Sequence, residues 1–290
     1  MRKNRSRGRL GARRRWIQWL AALGSNAYLP GFFLANIYRG SLKTTCIPTL
    51  NCYSCPGALF ACPLGAAQNA AARGTFPFYV VGFIAAMGAL VGRIPCGWLC
   101  PFGLFQDLLW RGRRGRAMAV PGALRWAKYG VLALLLPVAA IPSGALNIGY
   151  ERFCTYLCPS GTLTASIPLL AVDPTLRSLA GVLFGWRLLL LAAVAAVGIA
   201  HYYRPFCRTL CPLGAGLGLL NSRSLWRIDF YPGICTDCGA CRQACPVDLD
   251  PTDGGIDLGE CLRCLSCVAA CPESALEFVG PMTRKGGEED

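Results

Sequence analysis

The sequence predicts a mostly α-helical integral membrane protein, built on an internal two-span repeat and followed by a small α+β module. Three observations carry this. Of 290 residues, 54% are hydrophobic and 15% charged, a balance suited to lipid rather than to one soluble core. RIPCGWLCPFG (93–103) and RPFCRTLCPLG (204–214) share the pattern R-x-x-C-x-x-L-C-P-x-G, each at the end of an apolar run. Finally, CTDCGACRQACP (235–246) and CLRCLSCVAACP (261–272) both read C-x-x-C-x-x-C-x-x-x-C-P, the ligand spacing of bacterial ferredoxins. The fold class is therefore about four transmembrane helices plus a C-terminal two-[4Fe–4S] ferredoxin domain.

The formal net charge of +14 would suit nucleic acid if the basic residues formed one patch among aromatics. They do not. Arg2, Lys3, Arg5, Arg7, Arg9, Arg13, Arg14 and Arg15 form an N-terminal arm, and Arg111, Arg113, Arg114 and Arg116 lie between two apolar runs. That is the distribution of juxtamembrane segments, so the expected partner is the lipid bilayer and nucleic acid is excluded. The run after the arm exceeds the h-region of a signal peptide and no A-x-A site follows it, so it is expected to be a retained anchor. The Arg13–Arg15 run is read as a solvated arm rather than a twin-arginine export signal.

Four stretches are long enough to cross a hydrocarbon core of about 30 Å: Trp16 to Tyr38, Thr75 to Gly92, Tyr129 to Leu146 and Leu183 to Tyr203. Gln18, Asn26, Pro30 and Asn36 interrupt the first, which is expected to be partly re-entrant. Arg187 in the fourth is expected to snorkel to an interface, with Trp186, Tyr202 and Tyr203 in the aromatic belts. Lysine and arginine are dense before Trp16 and across 93–128 and sparse across 39–73 and 147–177. A multi-pass protein of the inner (plasma) membrane with both termini in the cytoplasm follows. The domains are then a basic arm (1–15), a membrane domain (16–228), the ferredoxin domain (229–279) and a disordered tail (280–290). The ferredoxin stretch 235–279 carries eight acidic residues against two arginines, opposite in sign to the membrane domain.

Two ferredoxin runs in tandem are a specific signal. Three closely spaced thiolates wrap one cubane, and the fourth cysteine leads to the other. Cys235, Cys238, Cys241 and Cys271 are assigned to one [4Fe–4S] cluster, and Cys261, Cys264, Cys267 and Cys245 to its neighbour. Zinc and disulfide scaffolds do not require this doubled run.

In C-x-x-x-C-P the two thiols would share a helix face at i and i+4, and proline suits the first turn of a following helix. A helix N-terminus favours an anion, and the glycine after each proline (Gly65, Gly103, Gly161, Gly214) allows close backbone approach. Cys96, Cys100, Cys207 and Cys211 are expected to meet across the repeat axis in one membrane-edge cluster site. Arg93 and Arg204, placed alike, would stabilise it. On the other side of the spans lie Cys46, NCYSCPGALFACPLG with Cys52, Cys55 and Cys62, and CTYLCPSG with Cys154 and Cys158. These six exceed the needs of one cubane, and a cluster or disulfides are both open, so one or two further clusters are expected in the membrane domain.

His201 is the chain's single histidine, which excludes a bis-histidine haem within one chain, and it is read as structural. Gln106, Asp107 and Glu151 are read as capping or solvated groups. No nucleotide or flavin fingerprint is present and no catalytic residue is identified.

These motifs resemble the NapH-like membrane-bound polyferredoxins, a family of 4Fe–4S proteins related to the C-terminal region of NosR and to FixG. The resemblance rests on RIPCGWLCPFGLFQD, FCTYLCPSG, YRPFCRTLCPLGA and the two ferredoxin runs. It implies electron transfer between a quinone pool or soluble donor and a partner redox protein, as a component of an oxidoreductase system rather than a stand-alone enzyme. The alternative it leaves is a copper reductase or assembly factor resembling FixG. One histidine and four methionines are few for copper handling. The cysteine-rich loop LKTTCIPTLNCYSCPGALFACPLGAAQ departs from the simpler family pattern.

Overall fold

The structure, a computed structural model, describes residues 2–34, 36–73, 75–111, 118–138, 153–179, 181–253 and 259–281. Outside them fall Arg113, Arg114 and Arg116, Glu151, the far end of the third expected span and the tail beyond residue 281.

Helices dominate. Arg2–Ser25 is a 24-residue helix, and it ends earlier than the first expected span. Asn26 turns its side-chain amide back onto the Ala22 carbonyl at 2.9 Å, and Leu59 N–H donates to the Ser25 carbonyl at 2.9 Å. With its last carbonyls taken this way, the chain leaves the axis and forms only a short turn at Pro30–Leu34. The second apolar stretch yields Phe78–Val91, 14 residues, or about 21 Å at 1.5 Å per residue. Pro77 precedes it and Gly92 stops it at φ +57°, a left-handed conformation that suits glycine. The third forms Gly122–Val138, beginning before Tyr129. Gly181–Ala200 has 20 residues and a mean hydropathy of 2.2. Among the described residues it is the one helix long and apolar enough to cross a membrane.

The two halves of the repeat fold alike. After each long helix comes a one-turn helix, Ile94–Trp98 or Pro205–Thr209, with proline in its first turn. The chain then breaks and restarts at Pro101–Arg111 or Pro212–Leu219. The two cysteines of each C-x-x-x-C-P therefore do not share one helix face. The first lies in the short helix and the second immediately before the next helix, where proline needs no N–H partner.

The C-terminal module is closed by an antiparallel pair, Arg227–Phe230 with Leu276–Val279, in register Arg227↔Val279. Between the strands sit the short helices Ala240–Ala244 and Ser266–Ala270, packed on each other. The module is docked on the helical part. Leu225 and Trp226 N–H groups donate to the Ala89 and Leu90 carbonyls at 2.9 and 3.0 Å, and Lys128 forms a buried ion pair with Glu260. One contiguous apolar core runs from Leu50 and Leu64 through Phe102 and Leu217 to Val247 and Leu262.

Candidate cluster sites

The doubled cysteine run of the module folds as a doubled backbone. Asp237 and Arg263, Gly239 and Leu265, and Asp248 and Ser274 all have positive φ, at the same offsets within the two runs. Repeated left-handed residues curl the chain and turn successive N–H groups inward, an anion-binding concavity. Each run encloses a cavity. Cys235, Cys238, Cys241 and Cys271 line one of about 230 Å³. Cys245, Cys261, Cys264 and Cys267 line a tighter one, closed by Val247, Leu249 and Leu262. Leu249 N–H donates to Cys245 Sγ at 3.4 Å and Ala275 N–H to Cys271 Sγ at 3.2 Å. Burial pushes the Cys261 thiol up to about 12. Thiols so buried are not ionised by their surroundings alone, whereas iron bonds the thiolate. Cys238 is exposed beside Asp237, Asp250 and Glu273 on the first cavity's rim.

The second site joins the two halves of the repeat. Arg93 from the first half donates to the Cys207 carbonyl at 3.1 Å, and Arg204 from the second donates to the Cys96 carbonyl. Both arginines are almost wholly buried, at 0% and 1% exposed. A Cβ on Gly103 would stand 3.0 Å from Arg204 Nη1, and one on Gly214 would stand 3.1 Å from Arg93 Nη2. Glycine thus lets the crossing guanidinium groups lie close against both turns without displacement. Gly103 N–H donates to Cys100 Sγ at 3.4 Å and Gly214 N–H to Cys211 Sγ at 3.3 Å. The four sulfurs are electrostatic neighbours. Burial and then Cys207 and Cys96 raise the Cys100 thiol to about 12, and burial, Cys207, Cys96 and Cys100 all bear on Cys211.

The polar groups around this site are not solvated. Arg204 pairs with Asp107 at 2.6 and 2.7 Å, Arg14 joins at 2.9 Å, and Gln18 donates to Asp107 at 3.1 Å. Burial alone would raise the Asp107 carboxyl, but Arg204 and then Arg14 hold it below the usual carboxylate range. Gln106 donates to Cys207 Sγ at 2.9 Å. The sequence reading of Gln106 and Asp107 as capping or solvated groups is corrected by this, because their partners come from elements far away in the chain.

The remaining cysteines divide. Cys52, Cys62, Cys154 and Cys158 line a cavity of about 290 Å³. Cys55, grouped with them by sequence, is absent from that lining and donates from its thiol to Asn26 Oδ1 at 3.3 Å. Cys46 is buried, and its backbone pairs with Ala61. The cavity is also not remote from the inner four: Leu50, on its wall, belongs to the same buried core as Cys96, Cys100, Cys207 and Cys211. Arg187 Nη2 lies 2.9 Å from where a Gly161 Cβ would stand. His201 contributes to none of these sites.

The donor sets fit iron–sulfur clusters. Four sulfurs surround a void in each ferredoxin run, N–H groups point at sulfur, and arginine cations stand beside the inner four. Among the described residues no three Cys, His, Asp or Glu converge as they would on a single ion. A cubane is larger than one ion and holds its four thiolates farther apart. The fold and these sites define an iron–sulfur electron-transfer protein.

Comparison with known proteins agrees. The family described as "4Fe-4S binding domain" matches residues 73–118, 130–168 and 183–229, and "4Fe-4S dicluster domain" matches 227–272. Methylamine utilization ferredoxin-type protein MauN of Methylorubrum extorquens is 31% identical over 235 residues, covering 78% of this chain and 70% of MauN. Ferredoxin-type protein NapH of Haemophilus influenzae is 26% identical over 274 residues, covering 89% of this chain and 85% of NapH. Regulatory protein NosR of Pseudomonas aeruginosa is 30% identical over 203 residues, covering 66% of this chain and 25% of NosR. No solved structure matches. The chain belongs to the NapH-like family of 4Fe–4S ferredoxin-type proteins.

Proposed function

We propose that this chain is a membrane-bound electron carrier in which two ferredoxin clusters and one inner cluster lie in series. Cys235, Cys238, Cys241 and Cys271 would hold the first, Cys261, Cys264, Cys267 and Cys245 the second, and Cys96, Cys100, Cys207 and Cys211 the third. When bound, such clusters supply reversible one-electron chemistry at potentials set by charge, hydrogen bonding and exposure. The residues of the chain bind, orient and shield them.

The observation that carries this reading is the fit of the second ferredoxin run against the inner four cysteines. Trp98, between Cys96 and Cys100, donates to the Arg263 carbonyl at 3.0 Å. Asn221 donates to the Cys261 carbonyl at 3.2 Å, and Arg93 reaches the Gly259 carbonyl. A Cβ on Gly97 would stand only 2.5 Å from the Leu262 carbonyl oxygen. Nothing but glycine lets the two backbones come this close. The exposed rim at Cys238, with its carboxylates, suits a soluble redox partner carrying basic residues.

The membrane part of the proposal is a multi-pass chain in the inner (plasma) membrane with both termini in the cytoplasm. Its support is the exposed apolar belt. Only 17% of the apolar window of Gly181–Ala200 is buried, and Trp16, Leu20, Phe33, Phe78, Trp126 and Leu134 are all exposed. Such a surface calls for lipid or another apolar partner. The donor or acceptor at this end would be a quinone pool or a soluble carrier.

The testing experiment is anaerobic purification in detergent followed by stepwise reduction with a quinol and then with dithionite, monitored by EPR. Reduced cluster signals that develop with the quinol, or that pass on to an added basic redox protein, are the expected result. A colourless, folded protein holding zinc would overturn the proposal. Reporter fusions at Gly74, Gly115, Arg177 and Asp290 should alternate in side, and a Gly115 fusion reporting outside would overturn the topology.

A further inference from the structure

We propose that Cys52, Cys62, Cys154 and Cys158 form a further [4Fe–4S] site, assembled by the cysteine-rich loop 46–62 against the C-T-Y-L-C-P-S-G segment. Cys52 and Cys62 lie outside the family-matched segments, so this half of the site comes from a loop with no counterpart in the repeat.

The first ground is local geometry shared with the inner site. There, each C-P-x-G turns its glycine N–H onto the cysteine sulfur and sets the glycine against an arginine. The outer segment repeats the second of these features. A Cβ on Gly161 would stand 2.9 Å from Arg187 Nη2, 3.5 Å from Cys52 Sγ and 3.8 Å from the Cys154 carbonyl, although the Cys158 sulfur, unlike that of Cys211, accepts no capping hydrogen bond. Arg187 therefore stands to Gly161 as Arg204 does to Gly103 and Arg93 to Gly214.

The second ground is charge. Arg187 lies in the second turn of the apolar helix Gly181–Ala200, where a cation is costly without a partner. Its Nε is buried with no hydrogen-bond partner among the described residues. Lys43, 7% exposed, sits 5.0 Å over the ring of Tyr53 on the same cavity wall. Among the described residues no carboxylate lines the cavity. Neither cation is part of the cavity lining, and Lys43 donates to the Ala58 carbonyl at 2.7 Å, but both charges bear on the Cys52 sulfur, which suits a group that is anionic when its thiolates are counted. The third ground is selection: of six cysteines in these segments, the cavity takes four, and it leaves Cys55 bonded to Asn26.

The site would extend the series. The Leu50 carbonyl accepts from Ser160 Oγ at 3.2 Å, and Leu50 lines the outer cavity while belonging to the same buried core as Cys96, Cys100, Cys207 and Cys211. One continuous core thus joins both sets of cysteines.

The test is the iron, sulfide and zinc content of the full chain purified anaerobically, wild type beside Cys52→Ala, Cys158→Ala and Cys55→Ala. Cys52→Ala and Cys158→Ala should each lose about four irons, while Cys55→Ala, at a more deeply buried position, keeps the wild-type content. The inner site is read separately through the signal lost in Cys100→Ser, so failure of that reading would leave the four-iron loss in the outer variants intact. The proposal is overturned if Cys52→Ala or Cys158→Ala keeps its iron, if the loss is about two irons, if zinc replaces iron, or if peptide mapping finds a disulfide among the four. Should the variants fail to fold, a wild-type content of only about eight irons overturns it, and a disulfide-free wild type with about sixteen supports it.

Discussion

Replacing Arg204 by glutamine removes one buried positive charge from beside the inner four cysteines and leaves most of the surrounding structure in place. Arg204 donates to the carbonyl of Cys96 itself, so its charge lies within one residue of a proposed ligand. A unit charge about 8 Å from the centre of the site, at an effective dielectric constant of about 20, contributes about 2 kcal/mol. For a one-electron couple that is about 90 mV, at about 59 mV per factor of ten. Reduction adds negative charge, so loss of the cation lowers the potential. Asp107 would keep Arg14 at 2.9 Å and Gln18 at 3.1 Å, which limits the cost of the lost pair and keeps the site assembled. An EPR-monitored redox titration of wild type and Arg204→Gln should show one signal shifted down by roughly 90 mV at unchanged iron content. Arg93→Gln should shift the same signal in the same direction, because the two arginines are exchanged across the repeat. A potential that rises, or shifts of opposite sign in the two variants, would refute the reasoning.

Gly97→Ala should loosen the ferredoxin module: its Cβ would stand 2.5 Å from the Leu262 carbonyl oxygen, an overpacking that costs about 1–3 kcal/mol, and limited proteolysis between 219 and 227 should become faster with iron content unchanged. Asp107 should confer acid sensitivity. Its native pKa is held low by Arg204 and Arg14 against the effect of burial, so its stabilisation is full above the unfolded value of about 3.9 and is lost as pH falls through the lower native value. Far-UV circular dichroism from pH 6 downward should therefore show a steeper acid transition in wild type than in Asp107→Asn, whose stability at neutral pH is lower. Within the module, Cys245→Ser should disturb the same EPR signal as Cys261→Ser, and Cys271→Ser the same one as Cys235→Ser. A Cys245→Ser spectrum matching Cys235→Ser would reverse the crossed assignment.

The ferredoxin runs were readable because their chemistry is local: short spacings and one turn of helix bring three sulfurs to one void, whatever the rest of the chain does. The kinship of 93–103 with 204–214 was readable as a repeat, and the repeat implies a shared axis. What the spacing could not carry is who meets whom across that axis. The exchange of Arg93 and Arg204, the pairing of Arg14 and Gln18 with Asp107, and the hydrogen bond from Gln106 to Cys207 all join residues about ninety or more apart in sequence. The outer loop was opaque for the same reason. Cys52 and Cys55 stand three residues apart in one turn, and only the path of the chain around Asn26 turns one to the cavity and the other away. Helix ends were misplaced where a polar side chain competes for backbone, as Asn26 does at Ser25. A charged residue inside an apolar run, Arg187, was the signal that could have pointed to the outer cavity.

The central claim is that the two halves of the repeat hold one cluster between them. The most direct measurement is the EPR spectrum and iron content of Cys100→Ser, Cys211→Ser and the double variant, each in the anaerobically purified full chain. Residues acting as a unit are non-additive, so each single variant should lose the same signal and about four irons, and the double variant should lose no more. Single variants that keep full iron and unchanged spectra, or that lose different signals which add in the double variant, would contradict the account.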